Sequence, residues 1–292
     1  MVKFDYIEPQ SLGEACGLLE RHGDEAKVIA GGTALLIWMR LRLLNPRVVI
    51  SLGKIPDFDT IHFDPKEGLR IGAGARHREI EMSPVVRNHY PLLYETFRKV
   101  AQPRIRNMGT IGGNLCQGDP LTDPGTSLMV LDADLTLVSK NGQRTLPVEK
   151  FFVDYYQTDI RPEEILTEIH VPPPIQGQSW AHIKFLPRSL EDFATVGVAL
   201  TLRGQGSRCE DIHLALNSVA PTIFRAKRAE EILRDQEICN DSVHRMAEAA
   251  AEEADPMDDN RGSAEYKREL IKVLVRRATE EALQRAVADK PE

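Results

Sequence analysis

Cysteine is scarce and poorly placed for metal chemistry. Cys16, Cys116, Cys209 and Cys239 are the only four in 292 residues, and no two form a CxxC pair. Iron–sulfur clusters and structural zinc normally take ligands from close pairs, so neither is expected on this chain. The eight histidines are equally dispersed, without an HExxH. Net positive charge is missing too: the balance is −7, which argues against a nucleic-acid tracker or a binder of anionic membranes. The most apolar stretch, Ala34 to Met39, is broken by Arg40 and Arg42. That falls far short of the roughly 18 residues a membrane span needs. Met1 to Tyr6 has neither the apolar core nor the flanks of a signal peptide, so a cytoplasmic protein with reduced thiols is expected.

What is present divides into three regions, without repeats or low-complexity segments. The first runs over residues 1–55. Ser11 and Glu14 read as a capping box, with Leu12, Ala15, Cys16 and Leu19 on one helical face. A strand at Val28-Ile29, a helix over 34–44 closed by Asn45-Pro46, and a buried strand at Val48-Val49-Ile50 complete an α/β unit. The second region, 56–175, reads as paired strands at 60–63 and 69–73, helices at 79–82 and 91–100, and a hairpin turning at Asn141-Gly142. A strand over 165–171 follows, ended by the linker Pro172-Pro173-Pro174. In the third, 176–292, three strands (180–185, 196–202, 212–216) precede helices at 226–234, 242–254 and 263–288. The last helix carries an apolar stripe of Leu270, Val273, Leu274 and Ala278. A meander followed by helices predicts a separate α+β domain, and the chain as a whole is α+β.

Two glycine clusters carry the chemistry. Ile29-Ala30-Gly31-Gly32-Thr33-Ala34-Leu35-Leu36 lies between a strand and a helix, and Gly109-Thr110-Ile111-Gly112-Gly113-Asn114-Leu115 follows some 80 residues later. Glycines let the backbone approach a diphosphate and leave successive N–H groups free for its oxygens. Helix dipoles and the donors Thr33, Thr110 and Asn114 would add to this. Neither cluster is followed by the Lys-Ser or Lys-Thr of a Walker A loop. Gly72-Ala73-Gly74-Ala75-Arg76-His77 begins like a Rossmann fingerprint but has His77 in place of the third glycine, and reads as a strand end with a turn. Lys99, Arg104 and Arg106 read as solvated surface charge, with steering of an acceptor or partner as the alternative. The residues alone reach a phosphate-bearing cofactor, a dinucleotide before a mononucleotide, in a non-Rossmann site.

A resemblance goes further. Ala30 to Leu36 resembles the AGGT-x-L turn of the flavoprotein (medium) subunits of molybdenum hydroxylases of the carbon monoxide dehydrogenase and xanthine dehydrogenase type. Arg106-Asn107-Met108-Gly109-Thr110-Ile111-Gly112-Gly113-Asn114-Leu115 is similar to that family's second FAD motif. The likeness continues through Asp119-Pro120, Asp123, Glu164-Ile165-Leu166, Lys184 and Asp192-Phe193-Ala194, and on to the stretch from Asp259 to Tyr266. It implies a two-subdomain FAD-binding fold of vanillyl-alcohol-oxidase (PCMH) type, plus a C-terminal domain with a three-stranded antiparallel sheet and helices. FAD would contact Ile29, Ala30, Gly31, Gly32, Thr33, Ala34, Leu35 and Leu36, then Ala101, Thr110, Ile111, Gly112, Gly113 and Asn114. Asp123, Leu166 and Lys184 would be further contacts, although the plain reading of Asp123 is a solvated loop acid or a helix cap.

The family also implies a small [2Fe–2S] subunit and a large subunit with the molybdenum cofactor, assembled as a dimer of heterotrimers, and electron transfer through FAD to an external acceptor. No catalytic acid, base or nucleophile is implied here, since the cofactor performs the redox chemistry. An insertion with several cysteines marks the [4Fe–4S]-bearing subgroup; only Cys116 lies in that interval, which weakens a 4-hydroxybenzoyl-CoA reductase. Two other readings compete. A self-sufficient flavin oxidoreductase would call for a substrate domain that 292 residues do not accommodate, and a cofactor-less interaction module would not explain both sets of glycines.

Overall fold

The computed structural model describes residues 2–186, 189 and 192–288. The chain opens with β1 (Asp5–Ile7), α1 (Leu12–His22), β2 (Ala26–Ile29), α2 (Leu35–Arg40) and β3 (Val48–Ser51). The three strands form a parallel sheet in the order β1-β3-β2, with the fully buried β3 in the middle. Ser11 caps α1, accepting from Glu14 N at 3.2 Å, and Glu14 reaches back to the Gln10 N–H at 2.8 Å. Ala15, Cys16, Leu18 and Leu19 are the face α1 buries. The helix expected over 34–44 stops at Arg40. Arg42 takes a left-handed φ of +61°, and the Leu43 N–H closes onto the Trp38 carbonyl at 2.9 Å. Leu41 and Leu43 stand exposed, so no burial rewards a further turn.

Next come β4 (Ile61–Asp64), β5 (Gly68–Gly72), α3 (His77–Met82), α4 (Pro84–His89), α5 (Pro91–Lys99), α6 (Pro103–Arg106), α7 (Ile111–Gln117) and α8 (Pro124–Val130). After them run β6 (Asp134–Ser139), β7 (Gly142–Pro147), β8 (Phe152–Asp154), β9 (Gln157–Thr158) and β10 (Ile165–Val171). The order β4-β5-β10-β6-β7 makes an antiparallel five-stranded sheet, with the β8-β9 hairpin apart. The expected pairing of β4 with β5 and the turn at Asn141-Gly142 are both there. The helices cover the sheet, burying Phe97, Leu92, Leu93, Ile80, Ile111 and Leu115 over Leu69, Ile71 and Ile169.

The last part has β11 (Gln178–Phe185), β12 (Val196–Gln205), β13 (Arg208–Asn217) and β14 (Phe224–Arg225), then α9 (Lys227–Leu233), α10 (Asn240–Glu253) and α11 (Ala264–Ala288). The meander therefore has a fourth strand, whose two residues are too few to show a period. On β12, Val196, Val198, Leu200 and Leu202 pack into the core that also holds the C-terminal helices, while Ala199 joins the core containing α8. The buried stripe of α11 is Ile271, Leu274, Val275, Ala278 and Ala282. It is rotated from the one expected, because Leu270 and Val273 are only partly covered. The seam with the preceding region is sealed by polar bonds as well. Thr201 Oγ1 donates to the Val130 carbonyl at 3.3 Å, and His213 Nδ1 bonds the same oxygen at 3.0 Å.

Candidate cofactor site

The two glycine clusters meet. Gly31 leaves edge strand β2 with its Cα so close to the second cluster that a Cβ there would stand 2.1 Å from the Met108 carbonyl oxygen and 2.8 Å from Gly109 Cα. Gly32 turns the chain with φ +71°, a conformation in which glycine pays no Cβ penalty. The first bond of the following helix runs from the Leu36 N–H to the Gly32 carbonyl at 3.2 Å. The N–H groups of Thr33, Ala34 and Leu35 thus precede the helical ladder and are available to a ligand. Ile29 and Thr33 to Leu35 are half-buried, while Ala30 and Leu36 are exposed.

The second cluster is built differently. Gly112 and Gly113 lie inside α7, whose N-cap Thr110 accepts from Gly113 N at 3.1 Å. Gly112 lets the helix settle on the end of β5, for a Cβ there would meet Ala73 Cβ at 2.6 Å. Gly113 is exposed, and a Cβ on it would approach nothing but Thr110 Oγ1. Ile111 is buried in the core. Asn114 carries a buried Oδ1 with no hydrogen-bond partner, a group that ordinarily finds one. Beneath Gly109, the buried His77 ring leaves Nδ1 unpartnered. Burial, helped by the Arg106 charge, pushes His77 down to about 4.

Ala101, between α5 and α6, has φ +40°, rare for a residue with a side chain. Arg106 explains how it is held. Its Nη1 donates to the Val100 and Ala101 carbonyls at 2.9 and 2.7 Å, and its Nε to Glu81 Oε2 at 2.9 Å. Arg106 is 8% exposed, which corrects the reading of it as solvated charge: a guanidinium with three acceptors in reach needs no water. Arg104 is exposed as expected. Lys99 is half-buried and donates to the His182 carbonyl at 2.9 Å.

Asp123 and Lys184, 61 residues apart, form an ion pair of 2.7 Å with side-chain exposures of 4% and 2%. Asp123 is therefore neither a solvated acid nor a side-chain cap, although it stands at the head of α8. Burial raises its carboxyl above the ordinary range, opposed by Lys184 and by Asn217. Lys184 also donates to the Lys99 carbonyl at 2.8 Å. Asn217 Nδ2 bonds the Thr122 carbonyl at 2.9 Å and fits because Gly197 across the strand pair has no Cβ, which would lie 1.7 Å from Asn217 Oδ1. Leu166 stands apart: its side chain is buried in the core of the five-stranded sheet, opposite Leu137. Sequence reasoning missed Asn217 and His182, whose local sequences carry no motif of their own, and the role of Arg106, which heads the second FAD motif but reads there as surface charge.

Comparison with known proteins turns this geometry into a family. Residues 2–174 match the family described as the FAD binding domain in molybdopterin dehydrogenase, and residues 181–282 the CO dehydrogenase flavoprotein C-terminal domain. The chain is 37% identical to the carbon monoxide dehydrogenase medium chain of Hydrogenophaga pseudoflava, over 94% of this chain and 96% of that one. This chain belongs to the FAD-binding medium subunits of the molybdopterin dehydrogenases. Medium subunits of this family are oxidoreductase flavoproteins of multi-subunit molybdenum enzymes. Another relative is the nicotine 6-hydroxylase medium subunit of Paenarthrobacter nicotinovorans, at 34% identity over 95% of this chain and 96% of that one.

Among solved structures, carbon monoxide dehydrogenase from Hydrogenophaga pseudoflava superposes with a TM-score of 0.94 at 37% identity, covering 98% of this chain and 99% of that one. Quinoline 2-oxidoreductase from Pseudomonas putida 86 does so with 0.91 at 29%, covering 98% of each chain. The mixed α+β architecture, a FAD-binding domain followed by an antiparallel sheet with helices, is the one the resemblance implied. The medium subunit's residues suit FAD: the N–H groups of Thr33, Ala34 and Leu35 precede the helical ladder, the Gly113 face is exposed, and the unpartnered Asn114 Oδ1 awaits a donor. Among the described residues no group of three or more His, Cys, Asp or Glu could hold a metal ion. Cys116 packs against the core, and burial pushes its thiol up to about 12. Among the described residues no helix is long and apolar enough to cross a membrane.

Proposed function

We propose that this medium subunit holds FAD where its two glycine segments meet, and through that site relays electrons from the [2Fe–2S] clusters of a small partner subunit to an external acceptor. A large molybdopterin subunit would complete the complex, as a dimer of heterotrimers in the cytoplasm. The observation that carries the reading is the contact of Gly31 with Met108 and Gly109, which joins two phosphate-suited segments 78 residues apart into one cradle. FAD, when bound, supplies a carrier that takes up electrons singly and releases them singly or in pairs.

The chain's own part is to bind and orient. Residues Ile29 to Leu36 and Thr110 to Asn114 would hold the diphosphate and its neighbours. The first segment would do so through the N–H groups of Thr33, Ala34 and Leu35, the second through the exposed Gly113 face and the Asn114 side chain, since the N–H groups of Ile111 to Asn114 donate within the protein. Ala101 would lie against the nucleotide, and the Asp123–Lys184 pair would bring a fixed, desolvated charge pair to the cofactor. Leu166 belongs to this set through its backbone, since its side chain faces the core. The division into 1–55, 56–175 and 176–292 is part of the same reading, supported by the three cores that gather around the three main sheets.

The test is an absorbance spectrum of the purified chain and of a folded Gly32→Asp, Gly113→Asp double variant, with chromatography of whatever acid releases. Flavin bands and released FAD are expected for the wild type alone, since two carboxylates would stand against the diphosphate. Equal FAD retention by the double variant sinks the placement.

A further inference from the structure

Three successive carbonyls, those of Lys99, Val100 and Ala101, each accept a hydrogen bond from a cationic side chain. Lys184 Nζ takes the first at 2.8 Å, and Arg106 Nη1 takes the other two at 2.9 and 2.7 Å. One nitrogen bound to both the Val100 and the Ala101 carbonyl fixes the backbone between them, and there Ala101 has φ +40°, a conformation an L-residue resists because its Cβ crowds the following carbonyl. Something must hold it there. Arg106 is anchored to do so, because its Nε is fixed by Glu81 Oε2 at 2.9 Å, and Glu81's other oxygen is occupied by Arg78 at 2.9 Å. A lysine could not reproduce this fork, having one nitrogen where the guanidinium has three. Just upstream, Lys99 is clasped reciprocally: it gives its ammonium to the His182 carbonyl while its own carbonyl takes Lys184. Downstream, Arg106 lies four residues before Thr110, the cap of α7.

We propose that Arg106 is a positioning residue for the cofactor: its grip on two carbonyls, braced by Glu81, holds Ala101 in the left-handed conformation in which residue 101 meets FAD. The proposal rests on the reading above that Ala101 lies against the nucleotide, and it adds the residue that puts it there. Arg106 touches no reacting atom. It acts through the backbone of its neighbour, and its effect depends on the side chain at position 101. Glycine adopts positive φ without penalty, so a glycine at that position makes the grip dispensable.

That dependence is the test. The FAD dissociation constant is measured by flavin fluorescence on the full chain, after removal of bound flavin, for wild type, Arg106→Gln, Ala101→Gly and the double variant. Arg106→Gln is expected to weaken FAD about tenfold, the size of one residue's left-handed penalty. In the Ala101→Gly background the same substitution should cost no more than about twofold by the same reasoning. Arg106→Lys, which keeps a charge beside Glu81, should show the same dependence on position 101 and serves if the glutamine variant fails to fold. A loss equal in both backgrounds, or no loss in either, overturns the positioning role while wild-type binding stands. A wild type that takes up no FAD overturns the underlying site instead.

Discussion

The turn at Gly31-Gly32 and the segment at Gly112-Gly113 share a glycine pair and a neighbouring threonine, yet they use glycine for different ends. Gly32 is needed for its backbone angle, φ +71°. Gly112 and Gly113 sit in the first turn of α7, where any residue could adopt the dihedrals. Gly112 is there because Ala73 leaves no room for a Cβ, and Gly31, at the opposite end of the cradle, because Met108 leaves none. Gly32 thus answers to its angle, and Gly31 and Gly112 to packing against backbone and core. Gly113 would meet only the hydroxyl of its own cap, Thr110 Oγ1 at 2.9 Å, and its exposed face is the one a cofactor would occupy.

Substitutions with alanine separate these roles. Gly31→Ala should have the largest effect, because the obstacle is a backbone carbonyl and not a movable side chain. A loss of about 3 kcal/mol in urea unfolding is expected, with FAD retention abolished. Gly112→Ala should cost about 2 kcal/mol, since α7 must lift off the end of β5. A change below about 0.5 kcal/mol in either would mean that the close contacts relax freely.

The second segment alone also carries a pH dependence, through His77 beneath Gly109. Its folded value, about 4, lies below the ordinary 6.5. The unfolded chain therefore binds the proton first, and stability present above pH 6.5 drains away as pH falls through that window to about 4. From pH 7 to pH 5 the loss from this group is about 2 kcal/mol, and His77→Gln should remove that share of the slope in paired urea titrations. An unchanged slope would move the origin of any acid lability elsewhere, His182 being the next buried imidazole.

Gly113→Ala should give the smallest change in stability and the sharpest comparison. Helix propensity favours alanine by up to about 1 kcal/mol, set against a Cβ near Thr110 Oγ1. Melting should hardly move, while FAD affinity falls because the added methyl would stand on the proposed cofactor face. Full FAD affinity in this variant would show that Gly113 does not face the ligand.

Legibility in the sequence followed the range of the interactions. Strands β3, β5, β6 and β10 and helices α1, α5 and α10 announce themselves through period and capping, which are local. The end of α2 is not announced, because its stop is an arginine in a left-handed conformation and not a glycine. Helix α7 was hidden for the opposite reason, since its first turn is written in glycines that suggest a loop. For the site, the glycine segments were readable as letters. Arg106 was not: a basic residue in a run with Arg104 looks solvated, and only the carbonyls of Val100 and Ala101 and the carboxylate of Glu81 make its burial tolerable.

By itself the sequence determined the order of the elements, the lack of paired metal ligands and the two glycine segments, because each is set by residue type and spacing along the chain. Only the tertiary structure decided that Gly31 and Met108 touch, that Asp123 finds Lys184 and that Ala101 is bent by Arg106. These are contacts between residues whose separation in sequence or whose backbone strain has no signature in composition. Their energies depend on what surrounds them once water has been excluded.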